Sequence, residues 1–575
     1  MIHEGIPQGS VIAPTLFLVA MQNIFNIIPE NTQTLIFADD IILIAKSSFA
    51  KLTRKKLQNA VEALSKWAPE VGFSFSAEKS KLLHFGPNRK RLSRLPPLLL
   101  DGNNIGLVHS ARILGVIVDD KLNFIGHANR VRKNCTNKLN ILKILSQNCG
   151  SASRPILQRF LRAWLLPSIL YGVGLFSRGG DKVTKILEPA YNQGVRTISA
   201  AFQSSPIISL MAESGLQPFE NVITQALTAK TIRWLSYNRP SNAPMVVRTR
   251  DSLQQLFSIA LPNICVRSDP RLRPWNCKKP KIDLSLLKII RAGQPSQNVL
   301  PKFLEHQTRL YASYNKVFTD GSKSLKGQVG YGIYNENKRE GLPLPSACSV
   351  YSAEAFALKI ALENYCTINQ PTVIFSDSAS VLTAAAANND THPWVAEISK
   401  QAVSKNVILC WVPGHCGISG NEAADRLAFE GSQSSPPISP IPHTDAIRTI
   451  KNQIWASWEN TWNQSHTVKL REIKNTPCSW IDQKMFEDRR ALTRLRIGHT
   501  RLTHGFLMAR EPAPVCHACN TIVTVKHILV DCLCYQQQRK NFGLSTSLRT
   551  ILSNCPKEER KVLLFMKKTK LLQEL

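Results

Sequence analysis

The sequence predicts a multidomain chain: an α+β portion at the start, a long helical stretch, an α/β domain in the second half, and a helical segment with a small zinc site near the end. Three observations lead there. At 575 residues the chain is long enough to hold several domains. Between residues 316 and 428, short apolar runs alternate with helical periodicity, the pattern of strands and helices sharing one sheet. Near the end, Cys516, Cys519, His527 and Cys532 stand at C-x2-C-x7-H-x4-C spacing inside helical text, a ligand spacing rather than a scatter of thiols.

Residues 5–17, GIPQGSVIAPTLF, read as a turn opening into a helix. Residues 35–45, LIFADDIILIA, read as an apolar hairpin with Asp39 and Asp40 at its tip. Two adjacent carboxylates on a hydrophobic ribbon are costly unless cations or solvent compensate them. Metal-assisted nucleotidyl transfer gives such a pair a purpose, whereas an isolated Ala-Asp-Asp would be a solvated turn. The neighbouring text decides. In order, PQGS, FADD, GFSFSAEKSKLLHFG and RILGVIVDDKLNF resemble the later palm motifs of reverse transcriptases, especially those of non-LTR retrotransposons of the I and Jockey kind. The resemblance implies that Asp39 and Asp40 are the metal-binding pair and that Gln8, Gly9 and Ser10 line the incoming nucleotide. It makes Lys79 the basic residue after the pair and Leu114–Gly115 the primer-gripping hairpin. It also implies a third catalytic Asp and template-holding fingers, both of which would precede Met1. Residues 1–130 are therefore expected to be the C-terminal part of a palm, and this chain alone is not expected to polymerise DNA.

Residues 131–300 read as mostly helical. HANRVRKNCTNKLNILKILSQN and RPILQRFLRAWLLPSILY set apolar residues at helical spacing with Lys and Arg between them, and Pro167 limits or kinks the second run. That suits the thumb that follows a palm in the same family; a helical core with a solvated basic face would read alike. Residues 239–280, rich in Pro, Arg and Lys, read as a loose connection.

Four acids then stand in recognisable settings: KVFTDGSK with Asp320, YSAEAFALKIAL with Glu354, VIFSDSASVL with Asp377, and WVPGHCGISGNEAADRLA with Asp425. Lys316–Thr319 and Thr372–Ser376 read as strands ending at Asp320 and Asp377. Ser352 is the expected N-cap of a helix with Glu354 in its first turn and an apolar stripe of Phe356, Ala357, Ile360 and Ala361. Asn421–Phe429 reads as a closing helix. Each acid alone would be an ordinary surface carboxylate. Together they would repel unless two Mg²⁺ (or Mn²⁺) ions offset them, and such a pair clamps the attacking and leaving oxygens of a phosphodiester. His415, after Gly414 in a loop, is placed to shuttle a proton.

Residues 313–433 resemble the type 1 ribonuclease H domain. The resemblance implies a mixed five-stranded sheet with helices on its faces, metal binding by Asp320, Glu354, Asp377 and Asp425, and a flexible-loop role for His415. Between Asp377 and Val407 there is room for about two helices, without the Lys/Arg-rich handle of some cellular members. The segment holds nine Lys and Arg against eleven Asp and Glu, so hybrid binding is expected to lean on its flanks.

GSQSSPPISPIPHT (431–444) contains a Ser/Pro linker, expected to be extended over 434–444. Residues 445–510 read as a basic helical segment whose RRALTRLRIGHTRLTHGF is a candidate for phosphate contact. Residues 511–540 form the expected zinc-binding segment, because two thiolates on a turn with a His and a Cys on the following helix suit tetrahedral Zn²⁺; it resembles the zinc-binding tail of non-LTR polyproteins. Cys534 lies off the pattern. Residues 541–575 read as a basic tail with a short amphipathic helix.

Composition agrees. A hydrophobic fraction of 43% supports buried cores, and 72 Lys and Arg against 40 Asp and Glu leave a net charge of +32. That excess lies wholly outside residues 313–433, so an acidic module sits in a basic frame suited to RNA, DNA, their hybrid, or the element's own RNA in a ribonucleoprotein. No run reaches the ~20 apolar residues of a membrane span, the start lacks a secretory pattern, and the cysteines suit a reduced, intracellular protein of nucleus or cytoplasm. The function expected is hydrolysis of the RNA strand of RNA–DNA hybrids. Two alternatives are a polymerase completed within a longer product or complex, and a decayed element that only binds nucleic acid.

Overall fold

The computed structural model describes residues 9–86, 95–147, 152–175, 180–267, 278–287, 299–387, 391–466, 468–480 and 486–575. The chain divides into two compact units, Met1–Cys135 with Arg178–Leu187, and Thr136–Ser177 with Glu188–Leu575.

In the first unit, helix α1 (Ala13–Met21) carries Pro14 in its first turn, where the missing N–H has no partner to lose. Strands β1 (Gln33–Phe37) and β2 (Asp40–Ile44) form the expected hairpin, Ala38 taking a positive φ in its two-residue turn. Helix α2 (Ala50–Glu70) packs Ala60, Leu64 and Trp67 against Met21, Ile24 and Ile28. Strands β3 (Lys81–Leu83), β4 (Leu98–Leu100) and β5 (Asn103–Val108) make a sheet in the order β3-β5-β4. Strands β6 (Ser110–Ile113) and β7 (Val116–Asp119) form a hairpin turned by Leu114 and Gly115, both at positive φ.

Helix α3 (Ile125–Gln147) begins in the first unit and ends in the second. Helix α4 (Arg154–Phe160) runs through a π-helical turn at Leu161–Leu165 into α5 (Leu166–Leu170). The irregularity expected of Pro167 thus falls on the turn before it, where the proline withholds an amide from the ladder. Helices α6 (Gly180–Ser199), α7 (Ile207–Ser214), α8 (Phe219–Ser236) and α9 (Pro244–Phe257) follow. Helix α9 corrects the reading of 239–280 as a loose connection: Pro244 starts a helix that buries Val246, Thr249 and Leu253. Residues 268–277 of that stretch lie outside the described residues.

The main sheet contains strands β8 (Lys281–Asp283), β9 (Asn315–Lys323), β10 (Val329–Tyr334), β11 (Arg339–Leu344), β12 (Thr372–Ser376) and β13 (Ile408–Trp411), in the order β11-β10-β9-β12-β13-β8. Its first three strands are antiparallel neighbours and the remaining pairs are parallel. The mixed sheet was expected with five strands; the sixth, β8, comes from sequence upstream of residue 313. Asp283 on β8 accepts hydrogen bonds from His306 Nε2 and the Tyr311 hydroxyl, both at 2.7 Å. These residues stand on helix α10 (Val299–Tyr311). Burial would raise the Asp283 carboxyl, but donation from Ser285, Tyr311 and His306 outweighs it and holds it at about 2.

Helices α11 (Val350–Asn364), α12 (Ala379–Ala386), α13 (Pro393–Ser404) and α14 (Ser419–Ser432) complete the α/β domain, with the two expected helices between Asp377 and Val407. Two details differ from expectation. The N-cap of α11 is Ser349, whose hydroxyl accepts from Ser352 N, so Glu354 lies one turn deeper in the helix. Strand β9 continues through Asp320 because its ladder with β10 runs on to Lys323. Helix α15 (His443–Gln464) then adds Ala446, Ile450 and Ile454 to the domain core, alongside Ile232, Leu253 and Phe303. The Ser/Pro linker is fastened at its end, where buried Ile441 exchanges backbone hydrogen bonds with Asn263 and Cys265.

The arginine-rich run is also corrected. Its first part forms helix α16 (Phe486–Ile497), where Arg489, Arg494 and Arg496 turn inward, while Arg501 beyond it stays exposed. Arg489 donates to Ala152 O and Ser146 O, Arg494 to Ala200 O, and Arg496 to Leu552 O, Ser553 O and Glu559. Arg154 and Glu213, both buried, pair at 3.1 Å in the same network. The terminal helix α17 (Pro556–Lys568) is likewise no free tail, since Val562, Phe565 and Met566 are buried against Leu492, Leu495 and Leu529.

The sheet meets α14 across glycines. A Cβ on Gly332 would lie 2.1 Å from Ala424 O, and one on Gly330 would lie 2.4 Å from Ala428 O. Gly332→Ala must therefore push the helix bearing Asp425 off the sheet. We expect a loss of about 1–3 kcal/mol from overpacking, measured as a lowered urea midpoint, with Leu325→Ala on the open surface as the unchanged control.

Candidate active site

Asp320, Glu354 and Asp377 converge as their elements meet. Asp320 stands in the middle of β9, Glu354 on α11 where that helix crosses the strand, and Asp377 directly after β12. Close contact between β9 and α11 needs Gly321, whose Cβ would sit 2.4 Å from Glu354 N. One carboxylate oxygen from each acid lies within 4.8 Å of the other two. Asp320 is 6% exposed and Glu354 7%, and among the described residues no Lys or Arg forms an ion pair with any of the three.

Their electrostatics follow. Burial first, then Asp377 and Asp425, raises Asp320 to about 7. Glu354 is raised well above the usual carboxylate range by burial and by Asp320 and Asp377, and it shares a hydrogen bond with Asp320. Burial also raises Asp377, against a hydrogen bond from Asn421 on α14. The backbone around Asp377 is fixed by Trp411 Nε1, which donates to Asp377 O at 2.9 Å. Gly414 lets the next loop pass, since a Cβ there would lie 2.5 Å from Asp377 Oδ2.

Asp425 lies outside the tight trio, with 40% of its side chain exposed, and His415 Nδ1 is 3.7 Å from its Oδ2. His415 is 82% exposed and takes a positive φ in its loop. The structure thus brings three of the expected acids together, sets the fourth at the rim, and puts the histidine beside that fourth acid. Asn421 was missed as a site residue; it lies inside the NEAAD run, four positions before Asp425, the spacing that puts both on one helix face.

The donor set fits hard divalent cations. Glu354 Oε2 is buried with no hydrogen-bond partner, and a cluster of carboxylate oxygens without a counterion is what Mg²⁺ coordination requires.

Near the C-terminus, Cys516, Cys519, His527 and Cys532 also lie within 4.8 Å of one another. Cys516 Sγ is 3.8 Å and Cys519 Sγ 4.0 Å from Cys532 Sγ. Four thiolate-length bonds of ~2.3 Å in a tetrahedron place sulfurs about 3.8 Å apart. Cys516 is held down to about 6, chiefly by the His527 side chain and by backbone amides of Cys519 and Ala518, while burial pushes Cys532 up to about 12. His527 begins a π-helical turn, His527–Asp531, and Cys532 follows it directly. Cys534 is exposed, away from the set.

In the first unit, Asp39 and Asp40 are both exposed at the β1–β2 tip. No third His, Cys, Asp or Glu joins them within 4.8 Å among the described residues. Gly9 has φ 90°, Ser10 O accepts from Ala13 N, and Lys79 is exposed beside Ser76. Gln8 lies outside the described residues.

The α/β fold and its carboxylates define a ribonuclease H domain, and residues 313–433 match the RNase H family model. Residues 1–128 match that of the reverse transcriptase, an RNA-dependent DNA polymerase. The RNA-directed DNA polymerase from mobile element jockey of Drosophila melanogaster is 25% identical over 206 residues, 35% of this chain and 22% of that one. The Pol polyprotein from type-1 retrotransposable element R1 of Nasonia vitripennis is 21% identical over 179 residues, 30% of this chain and 53% of that one. Human Ribonuclease H1 is 29% identical over 168 residues, 25% of this chain and 58% of that protein. The chain therefore joins a reverse transcriptase segment to an RNase H domain, the combination of a non-LTR retrotransposon polyprotein. It spans about a fifth of the length of its jockey relative.

The raised carboxyls carry a sign. In metal-free protein, Asp320 near 7 against an unfolded value near 3.8 binds its proton more tightly when folded. Its contribution is present below about pH 4 and lost as pH rises through about 7. Without divalent cations, we expect the parent's Tm to fall more between pH 5 and 8 than that of Asp320→Asn, and Mg²⁺ to restore the parent selectively at pH 8. Equal pH slopes in calorimetry would contradict this.

Proposed function

We propose that the RNase H domain hydrolyses the RNA strand of RNA–DNA hybrids, with two divalent cations held by Asp320, Glu354, Asp377 and Asp425. The observation that carries this reading is the trio of carboxylates within 4.8 Å, two of them buried and Asp377 half-buried, with no Lys or Arg ion pair among the described residues. When bound, the cations supply an activated water and charge stabilisation for the departing 3′ oxygen. The chain's own residues do the rest. Asn421 orients the Asp377 carboxylate, and Glu354 and Asp320 release their shared proton to admit cations. Exposed His415, beside Asp425, carries a proton between the site and solvent. The hybrid is selected by duplex shape and its 2′-hydroxyls.

Asp320→Asn in the full chain should reduce Mg²⁺-dependent hybrid cleavage to background, while His415→Ala should slow turnover about 100-fold or more with metal affinity retained. A gel assay on hybrid and on DNA duplex, with calorimetric Mg²⁺ titration, measures both. Parental cleavage by Asp320→Asn would mean the site is misassigned.

We further propose one Zn²⁺ at Cys516, Cys519, His527 and Cys532, supported by the 3.8 Å and 4.0 Å sulfur separations. Zinc there would link the Cys516–Asn520 turn to the core around Leu529 and Phe565. Elemental analysis should return one zinc per chain, and Cys532→Ser or a chelator should lower the Tm and release it. The reverse transcriptase segment, with Asp39 and Asp40 at an open hairpin tip, fits a polymerase role within a longer product.

A further inference from the structure

A cleft of about 430 Å³ opens between the end of β9 and the outer face of α15, lined by Lys323, Ser346, Arg448, Thr449, Asn452 and Gln453 together with two alanines. No lining residue is acidic. Lys323 Nζ donates to Ser346 O at 3.1 Å and to Cys348 O at 2.8 Å, while Arg448 Nη2 donates to Ala347 O at 3.0 Å. Lys323 thus rests on carbonyls, which fix its position without cancelling its charge, whereas Arg448 divides its Nη2 between a carbonyl and a carboxylate. The one carboxylate paired here is Asp445, 3.1 Å from Arg448, and its other oxygen accepts from Ser349 N, the cap of α11. Burial first, and then Arg448, lowers the Lys323 pKa, with Asp445 opposing both.

We propose that this cleft seats a backbone phosphate of the nucleic-acid substrate, so that α15, outside the RNase H domain proper, is part of the substrate-binding surface. The proposal rests on the reading of the domain as a hybrid nuclease. Lys323 stands on the same strand as Asp320, three residues along. At ~3.3 Å per residue their Cα atoms lie about 10 Å apart, and the odd separation sends the two side chains to opposite faces of the strand, Lys323 toward the loop before α11. The loop gripped by Lys323 and Arg448 leads directly into the helix that carries Glu354. A phosphate held in the cleft would thus bear on the loop that positions Glu354. Lys and Arg with hydroxyl and amide donors form the side-chain set that meets phosphate oxygens. The domain itself holds nine Lys and Arg against eleven Asp and Glu, so a cationic seat supplied partly from α15 answers its need for a polyanion contact.

The test uses the full chain carrying Asp320→Asn, so that binding is read without cleavage. Affinity for a labelled 18-base-pair RNA–DNA hybrid is measured by anisotropy across a salt series. Arg448→Glu, and separately Gln453→Glu at an exposed position whose change spares the Asp445 pair, should each weaken binding about tenfold. Arg448→Glu should lower the slope of log K against log salt by about 0.9, the signature of one lost phosphate contact. Lys557→Glu, an equal charge reversal at the exposed start of α17, should leave the slope unchanged. In the catalytically intact chain, Arg448→Glu should raise KM and spare kcat. Parental affinity and slope in both cleft variants, or an equal effect from Lys557→Glu, would overturn the proposal. Absence of cleavage by the parent would instead overturn the nuclease reading, with the binding series still deciding the cleft.

Discussion

Mutual repulsion among Asp320, Glu354 and Asp377 is the constraint on which the α/β domain turns. Two full charges 4.8 Å apart repel by about 3–4 kcal/mol at an effective dielectric constant of 20, and burial adds the cost of lost hydration. The metal-free chain meets this by keeping protons, which is why Asp320 rises to about 7 and shares a hydrogen bond with Glu354. A divalent cation, if bound as proposed, would replace those protons with greater charge at the same place. The arrangement thus trades stability of the empty site for affinity toward ions, the general character of a preorganised catalytic centre.

Holding such a cluster requires stiff, close-packed surroundings, and these come from absent side chains as much as from present ones. Gly330 and Gly332 on one strand let α14 lie directly on the sheet, and Gly321 does the same for α11. Around them the core is continuous with α8, α9, α10 and α15, through Ile232, Leu253, Phe303 and Ile454. The nuclease fold is therefore embedded in its neighbours within the second unit, and its sixth strand is fastened by the Asp283, His306 and Tyr311 bonds.

The positive charge of the chain divides into two populations that look alike in one dimension. Arg489 and Arg496 are 1% and 3% exposed and direct donors to carbonyls and to Glu559, because a buried guanidinium is costly without acceptors close by. Lys474 is also buried, and that burial lowers it to about 8. These cations hold helices together. Lys323 and Arg448 also bond carbonyls, yet they line an open cleft, Arg448 with Asp445 as its one carboxylate partner there.

The sequence by itself marked the residues of the candidate sites and the kind of element that most parts form. Strand β12 was read to the residue, and the hairpins at Asp39–Asp40 and Leu114–Gly115, the two helices before Val407, and the Cys/His quartet were all legible. The Leu114–Gly115 hairpin came with the palm resemblance; the other signals are local, carried by periodicity, turn residues or ligand spacing within about twenty positions. Tertiary structure alone decided the rest. It set Asp425 at the rim while three acids closed together, moved the cap of α11 from Ser352 to Ser349, made a helix of 244–257, and turned an arginine-rich face inward. It joined Asp283 to residues on α10, and it brought α15 beside Lys323 across more than a hundred positions of sequence. Those outcomes depend on which distant backbone groups arrive to accept a hydrogen bond or exclude water, and no pattern within one segment encodes the arrival of another.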